Sequence, residues 1–132
     1  MTEAAPDWSN LERFQFGDGP ELADTLLALV LSGDKTATCW PVREGQLTAI
    51  GKRMVACDSQ DRPRAVIETV SLEVTPFDQV TEAFAASEGE DDKTLASWRR
   101  EHQAYFERNG GFDPAMPLWC ETFRLIAGIA IP

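Results

Sequence analysis

The 132-residue chain is long enough for one domain with a single hydrophobic core, and its apolar and charged fractions are ordinary for a globular protein. Its net charge of −10 argues against high-affinity binding to long nucleic acid, which needs a broad basic face. No apolar run approaches the roughly 18 residues of a membrane span. The acidic start MTEAAPDWSN also lacks the basic and apolar segments of a signal peptide. We therefore expect a cytoplasmic protein without a membrane partner.

Charge and cysteines are unevenly distributed along the chain. Residues 65–92 contain eight acidic residues and no lysine or arginine, whereas residues 32–64 contain six basic residues against four acidic ones. A local positive strip of this kind suits a small ligand or a short strand of nucleic acid. The three cysteines are far apart without a C-x-x-C pair, and there is one histidine, so we expect free thiols and no zinc site.

The first predicted element is a helix that opens at Gly19-Pro20 and stops at Gly33. Proline suits the first turn, glycine suits the C-terminal end, and the apolar residues between them recur at helical spacing. The composition then becomes β-like, which predicts a strand over residues 35–40 that ends at Pro41.

Two further strands are predicted over residues 53–57 and 64–75, joined as a hairpin by a polar turn. In the second strand one face is apolar, with Val66, Val70, Leu72 and Val74. Glu68 lies on this face, and because an unpaired buried charge is very costly, it must be paired, protonated or beside a cavity. A structural ion pair with lysine or arginine is the alternative to a site role.

The rest of the chain predicts a short helix over residues 77–86, an acidic loop over residues 87–92, a helix over residues 94–107 and a strand over residues 118–126. In the longer helix the inward positions are Leu95, Trp98, His102, Tyr105 and Phe106, which indicate packing against a sheet. This order of elements predicts an α+β domain whose strands could close as a small mixed β-barrel flanked by helices.

Lys35 and Thr38 are the first candidates for chemistry. A threonine hydroxyl must lose its proton to attack a carbonyl, and a lysine of lowered pKa can accept that proton. Residues i and i+3 of an ideal strand point to opposite faces, so these two side chains meet only if the chain bends, as Gly33-Asp34 would allow. An ordinary polar junction between helix and strand is the simpler interpretation.

The other candidates each have a structural alternative. Glu88 lies in an acidic loop that could simply be solvated, and the loop lacks the spaced pattern of a calcium site. Trp40 could stack on a base or pack in the core. Lys52 and Arg53, after Gly51, could contact phosphate or form a solvated strand end.

Several short motifs follow one another in a fixed order along residues 14–126. They are Phe16-Gly17, Gly33-x-Lys35-Thr36-Ala37-Thr38, Gly51 before a strand, Ile67-x-Thr69, Phe77-x-x-Val80, Phe84-Ala85-x-x-Glu88-Gly89, Trp98, Phe106 and Cys120-Glu121-x-Phe123. In this order the chain resembles the ASCH domain family, whose fold is similar to the PUA-type RNA-binding barrel. The resemblance implies one ASCH domain over residues 14–132, preceded by an N-terminal arm over residues 1–13.

The resemblance implies a hydrolase. Small bacterial members deacetylate N4-acetylcytidine with a lysine, a threonine three residues later and a glutamate after the short helix. These positions correspond here to Lys35, Thr38 and Glu88, with Thr38 as nucleophile, Lys35 as its activator and Glu88 as an orienting or proton-relaying group. This chain departs from the small amidohydrolases at Cys39-Trp40-Pro41, where they carry an arginine-containing segment, and in its extra N-terminal arm and Trp98 helix.

Other members of the family imply other functions. Some are ribonucleases on single-stranded RNA, for which the basic strip of Lys52, Arg53, Arg62 and Arg64 would serve here, with a divalent metal as a possible requirement. Others bind RNA without cutting it. For the amidohydrolase we expect no cofactor, a nucleoside or short single-stranded RNA as partner, and a monomer or weak dimer. The substrate-binding candidates are Trp40, Lys52, Arg53 and Glu68.

Overall fold

A computed structural model describes residues 8–130. Its regular elements are β1 (Arg13–Phe14), α1 (Pro20–Ser32), β2 (Ala37–Pro41), β3 (Arg53–Cys57), β4 (Pro63–Pro76), α2 (Glu82–Ser87), α3 (Leu95–Arg108) and β5 (Pro117–Gly128). Short 3₁₀ turns follow β2 and β4, so the helix predicted over residues 77–86 is a turn at Phe77–Gln79 followed by α2. No helix within the described residues is long and apolar enough to cross a membrane.

The strands form one five-stranded sheet in the order β1-β3-β4-β5-β2. β1 pairs with β3 in parallel, and the other neighbouring pairs are antiparallel. The α+β class is confirmed, but the predicted closure into a barrel is wrong for the described part of the chain. The edge strands β1 and β2 do not pair with each other, because β1 is only two residues long and β2 lies at the far edge beyond β5.

Two main hydrophobic clusters hold the helices to the sheet. In the first, α1 packs Leu26, Leu27 and Val30 against strand residues such as Ile67 and Phe123. In the second, Trp98 and Phe106 of α3 pack with Phe77, Leu118 and Cys120. Burying these side chains supplies most of the stabilisation of a domain of this size. The two clusters thereby fix α1 and α3 against the sheet.

A third, smaller cluster involves the start of the chain. Trp8 and Leu11 pack against buried Val55, Cys57 and Val66. Residues 1–7 of the predicted arm lie outside the described residues.

The predicted burial of β4 is correct only in its first half. Val66 is buried, but Val70 and Val74 are 51% and 50% exposed. The pairing of β4 with β5 shifts register between Thr69 and Ser71, so Val70 has no directly opposed residue and the alternation of faces is interrupted there. A β-bulge cannot be read from the alternation of residue types, which is why the prediction fails at this point.

The junction that carries Lys35 is fixed by backbone contacts on both sides. Gly33 ends α1 in the left-handed conformation, and the Lys35 N–H donates to the Leu29 carbonyl at 3.0 Å. The Thr36 N–H donates to the Ser87 carbonyl at 2.8 Å. Gly89, at φ +74°, lies so close to this segment that an added Cβ would be 2.3 Å from the Asp34 carbonyl oxygen. The end of α2 is thereby fixed against the end of α1.

Gly89→Ala should therefore disrupt this contact between the two helix ends. We expect the free energy of unfolding to fall by about 3 kcal/mol or more, since the clash is with backbone and the positive φ adds strain. The measurement is chemical denaturation followed by tryptophan fluorescence. The matched control is Gly33→Ala, where φ is +88° and ψ is 0° in the left-handed region but nothing lies within 4 Å of the added Cβ, so only about 1 kcal/mol should be lost. Equal losses in the two variants would contradict the close approach.

Candidate active site

A pocket of about 270 Å³ lies between α1, β2, the loop after α2 and α3. Lys35, Thr38 and Glu88 all line it, although Glu88 is 53 residues beyond Lys35 in the sequence. Trp40 is also part of its wall. Residues 38–41 of β2 form one side of this wall.

Lys35 is almost fully enclosed in the wall of the pocket, with 2% of its surface exposed. Its Nζ donates to Glu88 Oε1 at 3.2 Å, to Glu90 Oε2 at 3.1 Å and to the Glu88 carbonyl oxygen at 3.4 Å. The Phe16 ring lies 5.8 Å away, measured from Nζ to the ring centroid. An ammonium group has three hydrogens to donate, and here each has an oxygen acceptor.

Glu88 is held from the opposite side by two aromatic residues of α3. Its Oε2 accepts a hydrogen bond from Trp98 Nε1 at 2.7 Å, and His102 Nε2 lies 3.5 Å from Oε1. Trp98 and His102 are one helical turn apart and their rings stack with centroids 4.2 Å apart. The side chain of Glu88 is 2% exposed, so its charge is balanced by protein groups and hardly by water.

The contacts of His102 assign its protons. Its Nδ1 lies 2.8 Å from the Trp98 carbonyl oxygen, which can only accept, so Nδ1 carries a hydrogen. Its Nε2 faces the Glu88 carboxylate, which also only accepts when ionised. Both contacts therefore favour the doubly protonated ring, an imidazolium beside the carboxylate of Glu88.

The pKa shifts of the cluster follow from burial and from these contacts. For Lys35, burial favours the neutral amine, but Glu88 and Glu90 more than offset it and raise the pKa above its usual value. For Glu88, burial would raise the pKa, but Lys35 and His102 lower it well below the usual value. For His102, burial would lower the pKa, and Glu88 raises it. Lys35 is accordingly an ammonium at rest and not a free base.

Glu90 is the second carboxylate on Lys35, and it differs from Glu88. Its side chain is 25% exposed, against 2% for Glu88. Its pKa is raised above the usual value, chiefly by burial and also by the nearby charge of Glu88, although Lys35 acts in the opposite direction. Of the two carboxylates, Glu90 is the one that takes up a proton more easily.

Thr38 offers its hydroxyl to the pocket, and within residues 8–130 its side chain makes no hydrogen bond to the protein. In the sheet it lies opposite Glu121 of β5, on the same face. Glu121 is 6% exposed and accepts a hydrogen bond from Thr69 Oγ1 at 2.7 Å, while burial raises its pKa. The Thr38 hydroxyl is thus accessible to a ligand.

The remaining wall of the pocket is acidic. Glu44, Glu90, Asp91 and Glu101 line it together with Glu88. The basic residue Arg108 also lines it, but its Nε donates to Asp18 at 2.6 Å. Trp40 presents an aromatic surface that is held in place by a hydrogen bond from its Nε1 to the Gly45 carbonyl at 2.8 Å. Such a wall repels phosphate and accommodates an uncharged ring.

Three predicted substrate-binding residues lie outside the lining of this pocket. Lys52 pairs with Glu12 at 3.0 Å. Glu68 accepts from Arg53 at 3.0 Å and from Arg124 at 2.9 Å, which is the structural ion pair considered as the alternative for this residue. Arg62 and Arg64 of the predicted basic strip both lie near Asp58, at 2.8 Å and 4.0 Å. The structure does not bring the basic strip to Lys35 and Thr38.

Cys39, Glu88 and His102 carry ligand atoms that all lie within 4.8 Å of one another, and this residue set is one that zinc accepts. Lys35, however, holds the Glu88 oxygen that faces His102, and an ammonium so close would repel a second cation. Burial raises the pKa of the Cys39 thiol well above its usual value, with Glu88 adding to the effect. Cys39 is therefore a neutral thiol, and Cys57 and Cys120 are also free.

Sequence reasoning missed the roles of Trp98, His102, Glu90 and Glu121. The helical spacing of Trp98 and His102 predicts one inward face, which is correct, but it does not reveal that a carboxylate lies on that face. From the sequence, Glu90 is not distinguished from the other acidic residues of the loop over residues 87–92. The contact of Trp98 and His102 with a carboxylate could have been predicted from one feature of the sequence. The inward face of this helix carries an indole N–H and an imidazole, and both groups need polar partners when buried.

The charge state of Glu88 can be read from His102, the single histidine of the chain. In Glu88→Gln the carboxylate no longer offsets burial, so the pKa of His102 should fall below its value in the unmodified protein. Because the folded pKa is raised, this contact stabilises the protein below the unfolded pKa of about 6.5, and the contribution is lost as pH rises through the folded pKa. The measurement is an NMR titration of the imidazole signals. The exposed Glu107→Gln is the control, and an unchanged His102 titration in Glu88→Gln would contradict the assignment.

Comparison with known proteins identifies the relatives of the chain. Residues 12–127 match the ASCH domain family. An ASCH domain structure from Lactobacillus crispatus JV V101 is 30% identical, with a TM-score of 0.82 over 90% of this chain and 81% of that one. A structure from Enterococcus faecalis V583, assigned to the family DUF984, is 34% identical, with a TM-score of 0.79 over 89% and 77% of the two chains.

A more distant structure shares the fold alone. It is a mutant form of the ASCH protein from Zymomonas mobilis, 12% identical, with a TM-score of 0.60 over 90% of this chain and 70% of that one. No curated protein sequence shows significant similarity to the chain. The family match covers nearly the whole described sheet and all three helices, including every residue of the pocket wall discussed above, and the chain therefore belongs to the ASCH domain family.

Proposed function

We propose that the protein is an amidohydrolase that removes the acyl group from an N4-acylated cytidine, with N4-acetylcytidine as the expected substrate. Membership of the ASCH domain family suggests an RNA-related function. The observation that supports the finer proposal is that Lys35, Thr38 and Glu88, the positions that correspond to the amidohydrolase motif, line one pocket.

In the proposed reaction Thr38 Oγ attacks the amide carbonyl carbon while its proton passes to the amine of Lys35. The C–N4 bond then breaks, Lys35 returns the proton to the leaving amine, and the acyl group remains as an ester on Thr38. A water molecule hydrolyses the ester, releasing the carboxylic acid and regenerating the hydroxyl. Glu88 keeps the Lys35 side chain in position throughout, since it is itself fixed by Trp98 and His102.

The size and charge of the pocket favour a single nucleoside. Its volume of about 270 Å³ is at the small end for ligand pockets. The acidic residues of its wall disfavour a phosphate group, while the Trp40 side chain offers a surface for a base. A ribonuclease would need cations on the phosphate path, and the residues of the basic strip are paired with carboxylates outside the pocket.

The decisive test is to incubate the purified protein with N4-acetylcytidine and follow cytidine by chromatography. Thr38→Val keeps the shape of the side chain but removes the nucleophile, so kcat should fall by about 10³-fold or more. Thr36→Val is the matched control, because Thr36 lies two residues earlier, is exposed and bonds only to the Ser87 carbonyl outside the pocket. Absence of cytidine with the unmodified protein, or equal rates in the two variants, would overturn the proposal.

The same preparations discriminate the alternatives. A ribonuclease should cleave labelled single-stranded RNA, with an activity that weakens steeply with salt and survives in Thr38→Val. A non-catalytic binding module should bind RNA equally well in Lys35→Met and Thr38→Val. We expect neither cleavage nor salt-dependent RNA binding, since the pocket wall is acidic.

A further inference from the structure

We propose that Glu90 is the proton outlet of Lys35: it accepts the ammonium proton of Lys35 and passes it to solvent, so that Lys35 becomes the neutral amine that activates Thr38. This inference rests on the proposed function, and it adds to it a residue outside the lysine–threonine–glutamate set. It answers a question that the site geometry raises, namely how a buried, doubly paired ammonium can act as a base.

The first step of the argument is that Lys35 cannot start the reaction in its resting form. Its Nζ has acceptors at 3.1, 3.2 and 3.4 Å, all of which favour the ammonium over the amine. A proton must leave before the nitrogen has a lone pair to receive the hydroxyl hydrogen of Thr38. Within the described residues, the ionisable groups in hydrogen-bond contact with Nζ are the carboxylates of Glu88 and Glu90.

The second step is that the two carboxylates on Nζ are not equivalent. Glu88 is anchored by Trp98 Nε1 at 2.7 Å and by His102 at 3.5 Å, and its side chain is 2% exposed. Although burial would raise the pKa of Glu88, its contacts with Lys35, His102 and Trp98 lower it, so Glu88 is the poorer proton acceptor. Glu90 makes its hydrogen bond to Lys35 at 3.1 Å, and its side chain is 25% exposed. Of the two carboxylates that contact Lys35, Glu90 is therefore the one that connects it to solvent.

The third step concerns the charges around the pair. The groups that face Lys35 or Glu90 are Glu88 at the end of α2, His102 on α3, Cys39 on β2 and Glu121 on β5. The negative charge of Glu88 is offset by the positive charge of His102, and Cys39 is a neutral thiol. Burial and the charge of Glu88 raise the pKa of Glu90, which makes it a better proton acceptor than an ordinary glutamate.

The protons balance over one cycle. Lys35 Nζ transfers one proton to Glu90 Oε2, and Glu90 releases it to water. The neutral amine then takes the proton of Thr38 Oγ during the attack and gives it to the nitrogen of the departing cytidine. After hydrolysis of the ester, which releases a proton together with the carboxylate, Lys35 regains its resting proton through Glu90. No oxidant, reductant or further reactant is needed.

The first test compares Glu90→Gln with the exposed Glu107→Gln in deacetylation of N4-acetylcytidine across pH. Glutamine keeps the size and the hydrogen bond to Lys35 but cannot accept its proton. Near neutral pH kcat should fall by about 10²-fold with little change in KM, as expected for loss of a proton-transfer group. In the unmodified protein activity should rise with pH toward the pKa of Lys35. In Glu90→Gln this rise should move to lower pH, because one of the two carboxylates that raise the Lys35 pKa is gone, while the plateau should stay below that of the unmodified protein. An unchanged pH profile would overturn the proposal.

The second test needs no substrate. The chain has three lysines, so the ¹⁵N signal of the buried Lys35 ammonium can be assigned with a Lys35→Met variant. Exchange of its protons with water should slow several-fold in Glu90→Gln and stay unchanged in Glu107→Gln. Equal or faster exchange in Glu90→Gln would overturn the proton outlet. Slowed exchange in a protein that releases no cytidine would instead uphold the outlet and refute the proposed substrate, so the two failures are distinguishable.

Discussion

The buried contact between Lys35 and Glu88 is the constraint on which the site depends. Burying either charged side chain without a partner would cost several kcal/mol, so the ammonium of Lys35 and the carboxylate of Glu88 must be buried as a pair. The end of α1 places Lys35, the end of α2 places Glu88, and α3 supplies Trp98 and His102 as further partners. Replacing a buried ion pair by apolar residues is often neutral or stabilising, so stability alone is a weak reason to keep one. Its position in the wall of a pocket that Thr38 also lines supplies a chemical reason.

Much of the fold could be predicted from local sequence patterns. The predictions that failed depend on contacts between residues far apart in the sequence. The helix from Pro20 to Ser32 and the strand Arg53–Cys57 are confirmed within a residue, because caps and turn clusters mark their ends. β1 was not predicted, since two residues carry no periodicity and their partners in β3 lie far along the chain, with Arg13 opposite Val55. The open sheet and the bulge near Val70 likewise depend on how strands meet, which alternation of residue types does not encode.

The site was predictable in a different way. Residue types at Lys35 and Thr38 allowed chemistry but favoured a plain junction, and the family motif changed that interpretation by naming Glu88, 53 residues after the lysine. Neither the residue types nor the family motif predicted which charged and polar groups surround Lys35 and Glu88. A second carboxylate at Glu90 and the indole and imidazole of α3 come together only through tertiary packing, and the carboxylates reverse the effect of burial on Lys35. Burial alone would lower the pKa of Lys35, whereas Glu88 and Glu90 raise it and keep the side chain an ammonium.

The wall at Cys39-Trp40-Pro41 connects this electrostatic setting to substrate choice. The small amidohydrolases that the chain resembles carry an arginine-containing segment there, and this chain has a neutral thiol, a fixed indole and a proline instead. Within the described residues, the cations that line the pocket are Lys35 and Arg108, apart from the imidazolium of His102, and all of them contact carboxylates. An anionic ligand would therefore find no cation that is not already paired and would face several acidic side chains. An uncharged ring near Trp40 meets neither penalty, so the charges of this pocket wall disfavour an anionic ligand more than a neutral one.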